Sequence, residues 1–205
     1  MSPRPQSHRA AGAARRAQVL DAAVEVIAEG GVKAATHRAI AARAGVPLSS
    51  TSYFFTSIDE LISAAMDLAA TRLIGEIRAL ALDPVSEQDT PSQVIDRYLE
   101  LLIGDAAQTG ETGADKRAQL SLYLQCRHDP QLRPIAQRLI TTYEAATTSL
   151  LERLGVHDAE FLARVIMAFI DGAALQNSAW PRGVEDVDFF RRAIRTLITG
   201  GLPQS

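Results

Sequence analysis

Between Thr36 and Tyr53 the chain gathers hydroxyls, an imidazole and a guanidinium: Thr36, His37 and Arg38, then Leu48, Ser49, Ser50, Ser52 and Tyr53. Nothing here is arranged for covalent chemistry. The four histidines, His8, His37, His128 and His157, are scattered, with no pair at the i, i+4 spacing of a helical metal site. Cys126 has His128 two residues away, and on one helix that spacing turns the side chains apart. No glycine-rich phosphate loop and no G-x-S-x-G occurs. The chain therefore reads as a non-enzyme with no metal and no cofactor. Hydroxyls and a guanidinium together do something else. Hydroxyls donate to phosphate oxygens or base edges, arginine's fork matches guanine O6 and N7, and leucine can lie against a thymine methyl.

Such contacts need a rigid carrier, and the flanking sequence supplies one. Residues 13–29 place Ala13, Ala17, Leu20, Val24 and Ile27 at helical spacing, and Gly30-Gly31 ends the run. Thr36 stands as N-cap before a short helix to Arg43. Ala44-Gly45-Val46 forms a turn, and Pro47 opens a second short helix to about Tyr53. Two short helices joined by a glycine-containing turn are a helix-turn-helix. Ile40 and Ala41 face inward, Ala44 and Gly45 let the helices cross closely, and Val46 plugs the corner. The second helix can then enter a major groove. Ser57, with Glu60 three residues on, has the spacing of a capping box for a helix reaching about Leu82 through Leu61, Ala65, Leu68, Arg72 and Ile77.

The remainder also reads as helix. Asp83 to Pro91 is a loop and a boundary, and Pro91 or Ser92 begins a helix through Val94, Tyr98, Leu101 and Leu102. Thr109 to Gly113 reads as a flexible loop, Lys116 to Arg127 as a helix broken at Asp129-Pro130. Residues 131–154 form a long amphipathic helix with Leu132, Ile135, Leu139, Tyr143, Ala146, Leu150 and Leu154 in register, stopped by Gly155. Asp158 caps a helix to Ala179 that is apolar on most sides, and Asp186 to Thr199 is the last. No period-two alternation calls for a strand. The expected fold is all-α. It comprises a basic arm at 1–12, a three-helix domain with helix-turn-helix at 13–57, a connecting helix at 58–82, and a further helical domain at 83–205.

Composition agrees. The 205 residues are 47% hydrophobic and 22% charged, enough for a real core and unlike a disordered chain. The longest apolar run, Val165 to Ile170, is six residues, against about 20 for a membrane helix. The N-terminus lacks the apolar stretch of a secretory signal, and a single cysteine excludes an internal disulfide, so the cytoplasm is the expected location. The net charge of −3 is uneven. Residues 1–57 carry seven basic and three acidic side chains, a net +4, and residues 58–205 carry 14 and 21, a net −7. Such an asymmetry suggests a polyanion partner for one end; the other reading is a short basic arm that is merely solvated.

Residues 15–61 resemble the N-terminal domain of the TetR family of bacterial repressors. The resemblance rests on Leu20-Asp21-Ala22-Ala23, Ile27-Ala28-Glu29-Gly30-Gly31, Thr36, Ile40-Ala41-x-Arg43-Ala44-Gly45-Val46, Tyr53-Phe54-Phe55, and Ser57-x-x-Glu60-Leu61. It implies DNA contacts by Thr36, His37, Arg38, Leu48, Ser49, Ser50, Ser52 and Tyr53, with Arg38 the foremost base reader. In two places this chain departs from the family pattern: Ile58 replaces a frequent phosphate-binding lysine, and Ser52 a usual aromatic. Arg4, Arg9, Arg15 and Arg16 of the basic segment are expected to compensate.

The resemblance also implies a homodimer on a palindromic double-stranded operator, an effector-binding and dimerisation role for residues 83–205, and a small-molecule effector that releases the operator by shifting the helix at 57–82. Other modes of regulation are a corepressor-dependent or activating regulator; a helical protein–protein adaptor is a further reading. Expected effector contacts are Tyr98, Tyr123, Cys126, Tyr143, Gln176 and Trp180, with His128 nearby. Expected dimer contacts are Phe161, Val165, Phe169, Phe190, Ile194 and Leu197 on the two last helices.

Overall fold

The computed structural model describes residues 6–81, 93–96, 110–181 and 184–200. All regular structure among them is helical. The helices are α1 (Gln6–Gly30), α2 (His37–Ala44), α3 (Leu48–Phe54), α4 (Ile58–Ala81), α5 (Gly110–Gln125), α6 (Arg133–Arg153), α7 (Ala159–Ala179) and α8 (Val184–Gly200). Single 3-10 turns lie at Val32–Ala34 and Pro130–Leu132, and 93–96 is helical. No helix of the described residues is long and apolar enough to cross a membrane. The expected loop at 83–91, the helix around Tyr98 and the position of Arg4 fall outside these residues.

Two compact units divide the chain, 1–72 with 114–136 and 73–113 with 137–205. The first is built on one apolar cluster. Val19, Leu20, Ala23, Val24 and Ile27 of α1 meet Ile40 and Ala44 of α2, Phe55, and Leu61, Ala65, Met66 and Ala69 of α4. Ala114, Ala118 and Leu122 of α5 join the same cluster, with Leu132 and Ala136. This differs from the division at residue 83, because the helix at 110–125 lays its small-residue face on the head. Ala13 and Ala17, expected on the buried face of α1, are exposed; burial begins at Val19. The helix nevertheless extends back to Gln6, so residues 6–12 belong to α1 and not to a separate arm. Alanine-rich sequence such as Ala10-Ala11 and Ala13-Ala14 sustains a helix without packing.

The second unit centres on Ile95, Leu151, Val156, Ala159, Leu162, Ala163, Ile166, Ile194 and Ile198. Its α6 seam runs through Leu139 and Tyr143, as the sequence reading has it, and then through Thr147 and Leu151, while Ala146 and Leu150 are half-buried and Leu154, just past α6, packs on the same core. Steps of four overshoot the 3.6-residue turn by about 40° each, so this seam winds obliquely around α6 as an i, i+4 ridge. Two local expectations also change. Gly110 and Gly113 lie within α5 instead of a loop, since a helix's first turn has amide groups without intrahelical partners and tolerates glycine there. Asp158 precedes α7 in the left-handed region (φ 55°) and makes no side-chain cap; its carbonyl accepts from the Leu162 N–H at 3.0 Å.

Candidate nucleic-acid interface

The helix-turn-helix is held by contacts that all originate in local sequence. Thr36 caps α2, its Oγ1 accepting from the Ala39 N–H at 3.1 Å, which leaves the hydroxyl hydrogen available to a phosphate. Gly45 ends α2 at φ 64°, a conformation glycine adopts without cost. The Val46 N–H then bonds the Ala41 carbonyl at 3.0 Å and the Gly45 N–H the Ala42 carbonyl at 3.2 Å, a Schellman closure. Pro47 stands just before α3 and accepts the Ser50 N–H at 2.8 Å. At the far end Ser57 Oγ accepts the Glu60 N–H at 3.1 Å, while the Glu60 carboxylate takes the N–H and hydroxyl of Thr56, each at 2.6 Å. Those donors hold the Glu60 carboxyl below its ordinary range.

Charge is distributed so that the head's acids turn on its own arginines. Arg43 Nη1 donates to Glu25 at 3.0 Å and to Glu29 at 2.9 Å, tying α2 to α1. Arg43 lowers the Glu29 carboxyl accordingly. Arg72 of α4 pairs with Asp21 of α1 and lies 3.6 Å from Asp115 of α5. All three acidic residues of segment 1–57 are thus engaged inside the first unit. Arg15, Arg16, Lys33 and Arg38 remain exposed. Arg15 and Arg16 lie on α1, and the Arg16 guanidinium stacks over the Phe55 ring at 5.0 Å.

The recognition-helix residues divide by exposure. Leu48 is 51% and Tyr53 74% exposed, unusual for large apolar side chains and fitting for groups that meet a partner. Ser49 and Ser52 are exposed and Ser50 half-buried. Tyr53 is braced edge-on by Phe54, ring centroids 5.1 Å apart. Arg38 is exposed and, among the described residues, forms no ion pair. His37 points elsewhere: its Nδ1 is 3.0 Å from the Oγ1 of Thr51. Thr51 is fully buried, a residue that sequence reasoning missed because its neighbours are also hydroxylic. Ile58, the departure from the family's lysine, packs on the head's core.

The expected effector residues do not share one environment. Tyr123 and Cys126 are half-buried against the core of the first unit; Tyr123 Oη accepts from Gln119 Nε2 at 3.1 Å, and burial pushes the Cys126 thiol up. Tyr143 is buried in the second unit, whereas Gln176 and Trp180 are exposed there. His128 is exposed, and Tyr98 lies outside the described residues.

A residue not singled out is Asp171 of α7. It follows the longest apolar run directly, and that position was the available signal. Burial raises its carboxyl to about 6. It lies four residues beyond Met167, whose Sδ is 3.8 Å from the buried Thr147 hydroxyl of α6. Tyr143 precedes Thr147 by four. Tyr143 and Asp171 therefore stand on the faces of α6 and α7 that make the Thr147–Met167 contact, one turn further from the 154–158 connection. Because the folded protein binds this proton more tightly than the unfolded chain, stability is greatest below about pH 4 on this account and declines as pH rises through 6. Asp171→Asn is expected to raise stability by about 1–2 kcal/mol at pH 7.5 and by about a third of that at pH 4.5, read by urea denaturation.

The expected dimer residues also divide. Ile194 is fully buried within the chain and cannot contribute surface to a second copy. Phe169 and Phe190 are half-buried and meet edge-to-face at 5.8 Å, with Phe189 completing the group at 5.5 Å from Phe190. Leu197 packs on the core of its own unit. Phe161 and Val165 fare differently. With Ala168, Gly172, Leu175 and Ala179 they follow 4-3-4-3-4 spacing along α7, exposed or half-exposed throughout and uncharged. That is the spacing of a coiled-coil seam, with small residues at its centre.

Two family models match the chain. Residues 19–65 match the family described as bacterial regulatory proteins, tetR family, and residues 89–203 the tetracyclin repressor-like C-terminal domain. The transcriptional regulator BetI of Cronobacter sakazakii is 30% identical over 167 residues, 79% of this chain and 78% of that protein. The nicotine-responsive transcriptional repressor HdnoR of Paenarthrobacter nicotinovorans is 26% identical, covering 82% and 85%. Among solved structures, the multidrug binding protein EbrR complexed with proflavin is 28% identical with a TM-score of 0.59, covering 89% and 99%. A transcriptional regulator from Rhodococcus, at 21% identity, shares the fold with a TM-score of 0.73 over 91% and 95%.

Proposed function

The chain belongs to the TetR family of bacterial transcriptional regulators, DNA-binding proteins of all-α fold, and from that membership we propose that it is a repressor of this kind. It binds a palindromic operator as a homodimer and is released by a small-molecule effector held in the helices beyond the head. The observation that carries this reading is the exposed set Thr36, Arg38, Leu48, Ser49, Ser52 and Tyr53 on a helix-turn-helix that holds no acid, beside an α1 whose Asp21, Glu25 and Glu29 are engaged by arginines. Thr36 and the serines donate to phosphate or base edges, and Arg38 reads a guanine.

The test is operator selection from random duplex DNA, followed by footprinting. A protected palindrome with half-sites about one helical turn apart is expected. Arg38→Ala should cost about 1–3 kcal/mol and relax preference at one base pair per half-site. An equal loss on random DNA would make Arg38 a phosphate contact instead.

For the effector we favour a nitrogenous cation. HdnoR is named for its response to nicotine and EbrR is described with proflavin, both nitrogen bases or cations. Asp171 offers such a ligand a desolvated counter-charge, with Tyr143 an aromatic face on the same seam. Titration with proflavin, followed by fluorescence and by release of operator DNA, tests the class.

A further inference from the structure

The Thr51 hydroxyl has one hydrogen and two neighbours. It lies 2.8 Å from the Leu48 carbonyl and 3.0 Å from His37 Nδ1. A carbonyl only accepts, so the hydroxyl hydrogen belongs to Leu48. Thr51 then has only lone pairs to offer the imidazole, and Nδ1 must carry its own hydrogen. In the neutral ring this leaves a bare lone pair on Nε2. A phosphate oxygen also only accepts, so in this neutral form the ring has nothing to donate to the DNA backbone.

What the bond does instead is mechanical. His37 is the first residue of α2 and Thr51 the fourth of α3, fully buried. Successive residues of a helix point about 100° apart. Fixing Thr51 inward therefore fixes where Leu48, Ser49, Ser52 and Tyr53 point. We propose that His37 is a positioning residue that sets the rotational register of α3 through Thr51, and that it does not itself contact DNA. This rests on the reading of α3 as the DNA-reading helix.

The two nitrogens of a histidine have separate mimics. The asparagine amide nitrogen sits near Nδ1, and the glutamine amide nitrogen near Nε2. His37→Asn keeps the donor to Thr51, as Thr51→Ser keeps the acceptor; His37→Gln and Thr51→Val break the pair. For the full-length protein, His37→Asn and Thr51→Ser should bind the selected operator within about threefold of wild type. His37→Gln and Thr51→Val should each lose about tenfold there, with binding to random duplex unchanged. The double variant His37→Gln/Thr51→Val should lose no more than either single one, as expected when both remove one shared interaction.

Two results would overturn the proposal. One is His37→Gln binding as wild type while His37→Asn fails, which would put the contact at Nε2. The other is an equal loss on random DNA with a shallower salt dependence, which would make His37 a phosphate contact. If wild type shows no DNA preference, the DNA reading fails separately. The thermal midpoint of the four single variants then decides the positioning role: His37→Gln and Thr51→Val must fall together, and equal midpoints in all four would overturn it.

Discussion

Placing glutamate at Ala168 and Leu175 of α7 is expected to leave a folded monomer of 22.1 kDa that has lost at least about 100-fold in operator affinity. Both residues are exposed, so neither substitution touches the core of the second unit. They stand on the same uncharged seam as Phe161, Val165, Gly172 and Ala179. Two copies packing along it would face four carboxylates with no water to solvate them, and buried unpaired charge is among the costliest of substitutions. The effect on DNA follows from symmetry. A dimer engages two half-sites in one event, whereas a monomer has one recognition helix and half the phosphate contacts. Its binding approaches the non-specific range of about 10⁻⁴–10⁻⁶ M. Sedimentation together with operator titration checks both halves. A dimer that persists, or a monomer that binds the operator as tightly as wild type, would remove α7 from the assembly.

Phe55→Ala is expected to cost about 3–5 kcal/mol of folding stability, a large part of the 5–15 typical of a domain. Phe55 sits immediately after α3 with 1% of its surface exposed, packed in the cluster that joins α1, α2 and α4. Its ring also carries the Arg16 guanidinium at 5.0 Å, so the substitution removes a cation–π contact with the apolar volume. Operator binding should fall although no DNA-facing side chain has changed, because α3 loses the anchor at its C-terminal end. Leu48→Ala is the control: half-exposed at the other end of α3, it should change stability by less than about 1 kcal/mol. Urea denaturation at 25 °C, run beside DNA titration, separates the two. Equal stability losses would mean that the helix end is not anchored by Phe55.

Much of the head was legible because its determinants are local. Thr36 as a cap, Gly45 as a helix stop and the Ser57–Glu60 spacing each dictate geometry within a turn of themselves, and each appears where the sequence puts it. The all-α class and the family were legible for the same reason, since both rest on spacing along the chain. Positions decided across space were not legible in this way. His37 and Arg38 are adjacent in sequence and equally polar, yet one turns inward to Thr51 and the other faces solvent. Nothing within a turn of either distinguishes them; the position of α3 does.

The same holds for the pieces that lie far apart. The sequence alone determined the helices, the basic head on an acidic remainder, and the hydroxyl-rich recognition helix, because backbone propensity, capping and net charge are summed over neighbours. Only the tertiary structure decided that residues 114–136 pack with the head, that Ile194 is core while Leu175 is surface, that Glu25 and Glu29 are engaged by Arg43, and that Asp171 lies desolvated behind an apolar run. Those outcomes depend on which helix faces come together. An apolar side chain buries as readily against its own chain as against a second copy, and an acid is indifferent to the sequence distance of the arginine that meets it.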